Sequence, residues 1–282
     1  MMTIELIKKK AAQEEIGFAL VLKEYVHLVI LDYVFRKELF SNLVFQGGTA
    51  LRLAYQGVRY SEDLDFVLNK KNKWFWNKLF QEFKPVVSRL KNFMPFIHEA
   101  RLKLQKQSET FQRFHLIIDA DGLASKDRTN IEIANIPAYT HQVKILRYPD
   151  LALSPALVVE KPEEIFSDKV VAVFARDYIK GRDLWDLHYL INTLKLTLTP
   201  EIVKMAKKKI RDYGHEVNKF TREMSSRFVV LEKEGPEILK TEMDLFLPSA
   251  YRRIYSAGYA EICREELDVF KKIYRELKND DR

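Results

Sequence analysis

Apolar positions recur first at helical spacing. Across residues 4–40 the side chains of Leu20, Val21, Tyr25, Leu28, Val29 and Tyr33 form a broad apolar stripe, which predicts one or two N-terminal helices. Residues 43–45 are a short apolar run of the kind buried strands carry. Residues 49–55 then read as a helix, separated by a loop at 57–61 from a second strand at 63–68. A Lys/Asn-rich turn at 69–73 leads into a helix bearing Trp74, Trp76, Leu79 and Phe80, whose spacing marks core rather than a platform for stacking bases. Two strands at 100–106 and 111–119 join through a turn at 107–110. Residues 130–135 alternate strictly, with Ile131 and Ile133 on one side and Glu132 on the other. An edge strand at 141–147 and a loop at 148–155 follow, and from Lys161 onward the pattern is helical. The expected architecture is α/β (α+β): a mixed-sheet domain with N-terminal helices over residues 1–155, a helical domain over 156–282, and a cleft between them.

Composition excludes several classes. The chain has 282 residues, 47% hydrophobic and 31% charged, which suits a globular protein. No apolar run approaches the ~18 residues of a membrane span, since the run at 16–31 is broken by Lys23, Glu24 and His27. The first ten residues lack the apolar core and cleavage site of a secretory signal. A single cysteine, Cys263, forms no internal disulfide, suits a reducing cytoplasm and reads as a buried small hydrophobe. The net charge of +7 permits attraction to polyanions such as RNA without requiring it. The six histidines lack metal-ligand spacing.

Two short motifs carry the chemistry. Phe45-Gln46-Gly47-Gly48-Thr49 ends a strand and opens a helix, where residues without a Cβ let backbone N–H groups close on a phosphate. Asp63-Leu64-Asp65 starts the next strand, and side chains two apart on a strand share a face. Two carboxylates so placed suit Mg²⁺ or Mn²⁺, which accept carboxylates together with substrate phosphates. A nucleoside triphosphate is the implied substrate.

Gly-Gly, a short helix and Asp-x-Asp resemble the opening motif of the DNA polymerase β-like nucleotidyltransferase superfamily. The wording Gly-Gly-Thr-Ala-Leu-Arg-Leu, then Tyr-Ser-Glu-Asp-Leu-Asp-Phe, more closely resembles the AbiEii-type nucleotidyltransferase toxins of toxin–antitoxin and abortive-infection systems. The superfamily commonly carries Gly-Ser at the glycine pair, and here Thr49 brings the hydroxyl. A second block, residues 162–187, also resembles these toxins, with matches at Glu164, Ile165, Lys169, Arg176, Lys180, Arg182, Asp183 and Asp186. The likeness covers about residues 43–190.

This resemblance implies a polymerase β-like fold and transfer of a nucleoside monophosphate to an acceptor hydroxyl with release of pyrophosphate. It implies Asp63 and Asp65 as metal ligands, and Gly47, Gly48 and Thr49 as the phosphate cradle. Lys169 would neutralise charge on the triphosphate. A third carboxylate on a later strand would complete the metal site. Glu132 is the candidate, with Asp119 and Asp121 as competitors, and a solvated glutamate or plain turn chemistry as the alternatives. Asp183 is expected in support, as general base. A helix cap for Asp183 and an Arg182–Asp186 ion pair are the structural alternatives. The implied acceptor is the tRNA 3′ end, with a cognate antitoxin as partner. The cluster Lys204, Lys207, Lys208, Lys209 and Arg211 reads as a solvated helix face before a phosphate track. Two rival functions are transfer to a small molecule or protein, and nucleotide binding without transfer.

Overall fold

The computed structural model describes residues 2–69, 73–148, 151 and 153–279. Most of the Lys/Asn-rich turn expected at 69–73 lies outside them, as does part of the loop expected at 148–155. The chain divides into two compact units, Met1–Glu160 and Lys161–Arg282.

In the first unit, α1 (Ile4–Glu14) precedes α2 (Phe18–Phe35), which is buried on every side from Val21 to Val34 rather than along a stripe. Four polar side chains are carried inward with it, and each is answered from another part of the unit. Lys23 meets Glu62 at 3.3 Å and Asp127 at 3.2 Å. Glu24 meets Lys10 of α1 at 3.0 Å and Arg52 at 2.6 Å. Burial pushes the Glu24 carboxyl up, but Arg52 and Lys10 outweigh it and hold it below the usual range. His27 Nε2 lies 3.1 Å from the Glu62 carbonyl, and Asp32 pairs with Arg36 at 2.8 Å and with Arg89.

The sheet among the described residues has the strand order β3-β4-β5-β2-β1-β7-β6. β1 (Leu43–Gln46) pairs antiparallel with β2 (Leu64–Leu68), and β3 (Ile97–Gln107), β4 (Phe111–Ala120) and β5 (Asp127–Pro137) form an antiparallel meander. β5 then lies parallel to β2, and β6 (His141–Ile145) is an edge strand. The sequence pattern does not announce β7 (Ala156–Glu160), which lies parallel to β1 and antiparallel to β6. One face of the sheet is apolar. Phe45, Phe66, Phe114, Ile131 and Ile133 are buried there, and the tilted rings of Phe80 and Phe83 of α4 (Lys73–Phe83) lie against Phe114 with centroids at 5.4 and 5.5 Å. α5 (Val86–Phe93) packs on β3. The other face bears the polar groups of the candidate site.

The second unit is helical: α6 (Pro162–Ala175), α7 (Gly181–His188) with a π turn at Tyr189–Thr193, α8 (Pro200–Asp212), α9 (Val217–Phe246), α10 (Ser249–Tyr255) and α11 (Tyr259–Asn279). Phe174 of α6 is ringed edge-on by Phe220 and Phe228 of α9 and Phe270 of α11. The lysine cluster on α8 is not uniformly solvated. Lys209 is fully buried and pairs with Glu164 at 2.6 Å and Asp168 at 3.2 Å, because it falls on the α8 side that packs on α6. Cys263 is buried, its thiol pushed up to about 12 by burial and by Glu266. Among the described residues no helix is long and apolar enough to cross a membrane.

Candidate active site

β1 delivers the chain to Gly47, where α3 (Gly47–Ala54) begins with no side-chain cap, two residues earlier than periodicity predicts. The first N–H groups of such a helix have no intrahelical acceptor, the arrangement that binds phosphate oxygens. Both glycines are required by close approach. Gly47 has φ +78°, and a Cβ there would stand 2.5 Å from Asp65 Oδ2. A Cβ on Gly48 would stand 2.0 Å from Arg59 Nη2. Arg59 is buried and donates to the Tyr60 carbonyl at 2.9 Å. The motif reading missed this guanidinium, since a lone arginine in a loop carries no pattern.

Thr49 is buried, and its hydroxyl donates to the Asp63 carbonyl. The hydroxyl therefore fastens the loop that carries Asp63. Lys23 and His27 hold the neighbouring Glu62 from the side of α2. Asp63 lies just before β2 rather than within it, and Asp65 is the second residue of the strand. Both are half-buried.

Strand register decides which acid lies beside Asp65. Asp65 is the register partner of Gln46 on β1 and of Glu132 on β5. Glu132 in turn faces Arg113 on β4, with Oε1 accepting from Arg113 Nε at 2.7 Å. It is half-buried and paired. Asp119 pairs with Glu99 toward the other end of β4, and Asp121 is exposed against His98 at 2.7 Å. The register thus brings Glu132 beside Asp65 and neither competitor. Asp63, Asp65 and Glu132 offer only hard carboxylate oxygen, the donor type that Mg²⁺ or Mn²⁺ takes in preference to softer ions, with their oxygens not gathered within 4.8 Å of one another.

In the second unit Lys169 finds its anions within the unit. Its ammonium lies 2.7 Å from Asp183 and 2.7 Å from Asp186. Arg176 takes the other oxygen of Asp183. A carboxylate flanked by two cations orients them and is poorly placed to accept a proton. Asp183 is the third residue of α7, whose N-cap is Lys180. Arg182 meets Glu242 of α9 at 3.2 Å. Asp183 and Asp186 thus hold the same ammonium.

The chain matches the family model described as "Nucleotidyl transferase AbiEii toxin, Type IV TA system" over residues 30–265. No curated protein matches it. The crystal structure of JHP933 from Helicobacter pylori is similar at 19% identity and a TM-score of 0.53, over 94% of this chain and 96% of that one. A candidate nucleotidyltransferase from H. pylori is similar at 19% identity and a TM-score of 0.53, over 92% and 96%. At that identity the likeness shows the fold alone.

Proposed function

Because this chain belongs to the AbiEii nucleotidyl transferase toxin family, we propose that it transfers a nucleoside monophosphate from a triphosphate to an RNA hydroxyl, at the tRNA 3′ end. Asp63 and Asp65 would hold the divalent cation, with Glu132 beside them. Bound there, Mg²⁺ neutralises phosphate charge and fixes the phosphate geometry. The uncapped N–H groups of Gly47, Gly48 and Thr49 receive phosphate oxygens, and Arg59 adds a fixed positive charge at Gly48. In the transfer step the acceptor oxygen bonds to the α-phosphorus while the bond from that phosphorus to the bridging oxygen breaks, and pyrophosphate leaves. The hydroxyl proton passes to Glu132 Oε2, since Arg113 occupies Oε1. Lys169, oriented by Asp183 and Asp186, is the further cation that the transfer uses.

The observation that carries this reading is the register that sets Asp65 against both Gln46, which leads into the glycine pair, and Glu132. A type IV toxin reading also carries a cognate antitoxin encoded with it. The test is incubation with each labelled triphosphate, Mg²⁺ and total tRNA. Label on the RNA 3′ end, abolished by Asp63→Asn or Asp65→Asn, is the expected result. Label on protein or on a small molecule, or binding without transfer, would refute it.

A further inference from the structure

The sheet face that carries Asp65 continues outward through three rows rich in Lys and Arg, beyond which lies the acidic row of Glu99 and Asp119. Register aligns Lys106, Arg113, Glu132 and Asp65 in one cross-strand row, Lys103, His115 and Asn130 in the next, and Arg101, Ile117 and Arg128 in a third. Cross-strand partners share a face. Five Lys and Arg side chains and one imidazole therefore lie together beside the acid pair.

Pairing accounts for only part of this charge. Glu132 takes Arg113 at 2.7 Å, and Glu99 takes Arg101 at 3.6 Å and Lys126. Lys103 and Arg128 are exposed and have no carboxylate partner among the described residues. Half-buried His115 sits among them, its pKa lowered first by burial and then by Arg128, Arg113 and Lys103, with Asp63 opposing. An isolated surface lysine needs no explanation. Cations converging on one imidazole at the edge of an acidic site are different, because the charges of Lys103 and Arg128 are not matched there by a carboxylate among the described residues.

We infer that the β3-β4-β5 face holds the phosphodiester backbone of the RNA acceptor, across Lys103, His115 and Arg128, with the 3′ end toward Asp63 and Asp65. This rests on the transfer reading above. Its chemistry favours nucleic acid over an acidic protein. Apart from Ile117 the rows are polar or charged, whereas protein interfaces bury an apolar centre and nucleic-acid interfaces are polar and positive.

The experiment is fluorescence anisotropy of a labelled single-stranded RNA with a free 3′ hydroxyl, titrated with the full chain at several salt concentrations. Each phosphate contact contributes about −0.7 to the slope of log affinity against log salt. Lys103→Gln combined with Arg128→Gln should flatten that slope by about 1.4 and weaken binding on the order of tenfold at 0.1 M salt. Affinity for Mg²⁺-triphosphate, measured by calorimetry, should be retained. Lys204→Gln with Arg211→Gln, the same charge removed from exposed sites on α8, should change neither affinity nor slope. An unmoved slope in the first variant, equal loss in the second, or displacement of RNA by polyglutamate of equal charge would each overturn the inference. Labelled-nucleotide transfer is read on the same samples. Binding that depends on Lys103 and Arg128 without label on RNA supports the surface and sinks the acceptor reading alone.

Discussion

Gly47→Ala puts a methyl group where neither backbone nor neighbour accommodates it. At φ +78° an L-residue costs about 1–2 kcal/mol. The added Cβ would stand 2.5 Å from Asp65 Oδ2, and ordinary contact begins at 3.4 Å. The carboxylate must therefore retreat by roughly 0.9 Å, since overlap on that scale is steeply repulsive. Misplacement of about 1 Å costs on the order of 10²-fold in rate. The strain alone should lower Tm by about 2–8 °C in a chain of this size. Gly214→Ala isolates the backbone cost, because Gly214 has φ +82° and nothing lies within 4 Å of the place its methyl group would take. The two variants should lose similar stability by thermal denaturation. Only Gly47→Ala should lose nucleotide transfer, and with it stabilisation by added Mg²⁺ or Mn²⁺. If Gly47→Ala transfers nucleotide within twofold of wild type, the coupling of the glycine to Asp65 is refuted.

Three other outcomes follow from buried charge. His27 is held down to about 4 from 6.5, first by burial, so between those pH values the unfolded chain binds a proton that the folded chain does not. Stability should fall as pH drops through that window, by about 3 kcal/mol in total, and His27→Gln should flatten the slope in urea titrations. Lys209→Met leaves Glu164 and Asp168 buried without their ammonium and should cost about 3–5 kcal/mol by chemical denaturation; a loss under 1 kcal/mol would contradict the pairing. Lys169→Arg keeps the charge between Asp183 and Asp186 but not the compact ammonium. It should fold within about 1 kcal/mol of wild type, as charge is conserved, yet lose at least tenfold in transfer; unchanged transfer would confine Lys169 to a structural role.

Local pattern carried the parts of the site set by nearest neighbours. Alternation at residues 130–135 placed Glu132 opposite Ile131 and Ile133, and both isoleucines are buried while Glu132 is not. The glycine pair read as the strand-to-helix junction, and α3 begins on it, two residues before the helix that periodicity predicts. Other features were out of reach. β7 is a short apolar run between prolines and a helix, and only its pairing with β6 and β1 makes it a strand. Lys23, Glu24, His27 and Asp32 look like polar breaks in a stripe until their partners on other elements are known. Thr49 suggested an open hydroxyl, and its bond to the Asp63 carbonyl depends on how the 57–61 loop returns.

The sequence by itself determined most of the elements and the polar and apolar faces of their strands, because these follow from spacing along a chain of fixed repeat, and its two motif blocks carried the resemblance to the family. Only the tertiary structure decided which strand lies beside Asp65, which guanidinium fills the space over Gly48, and which carboxylates hold Lys169. Those outcomes depend on register and ion pairing between residues far apart in the chain, where many partners of the same chemistry compete and burial selects among them.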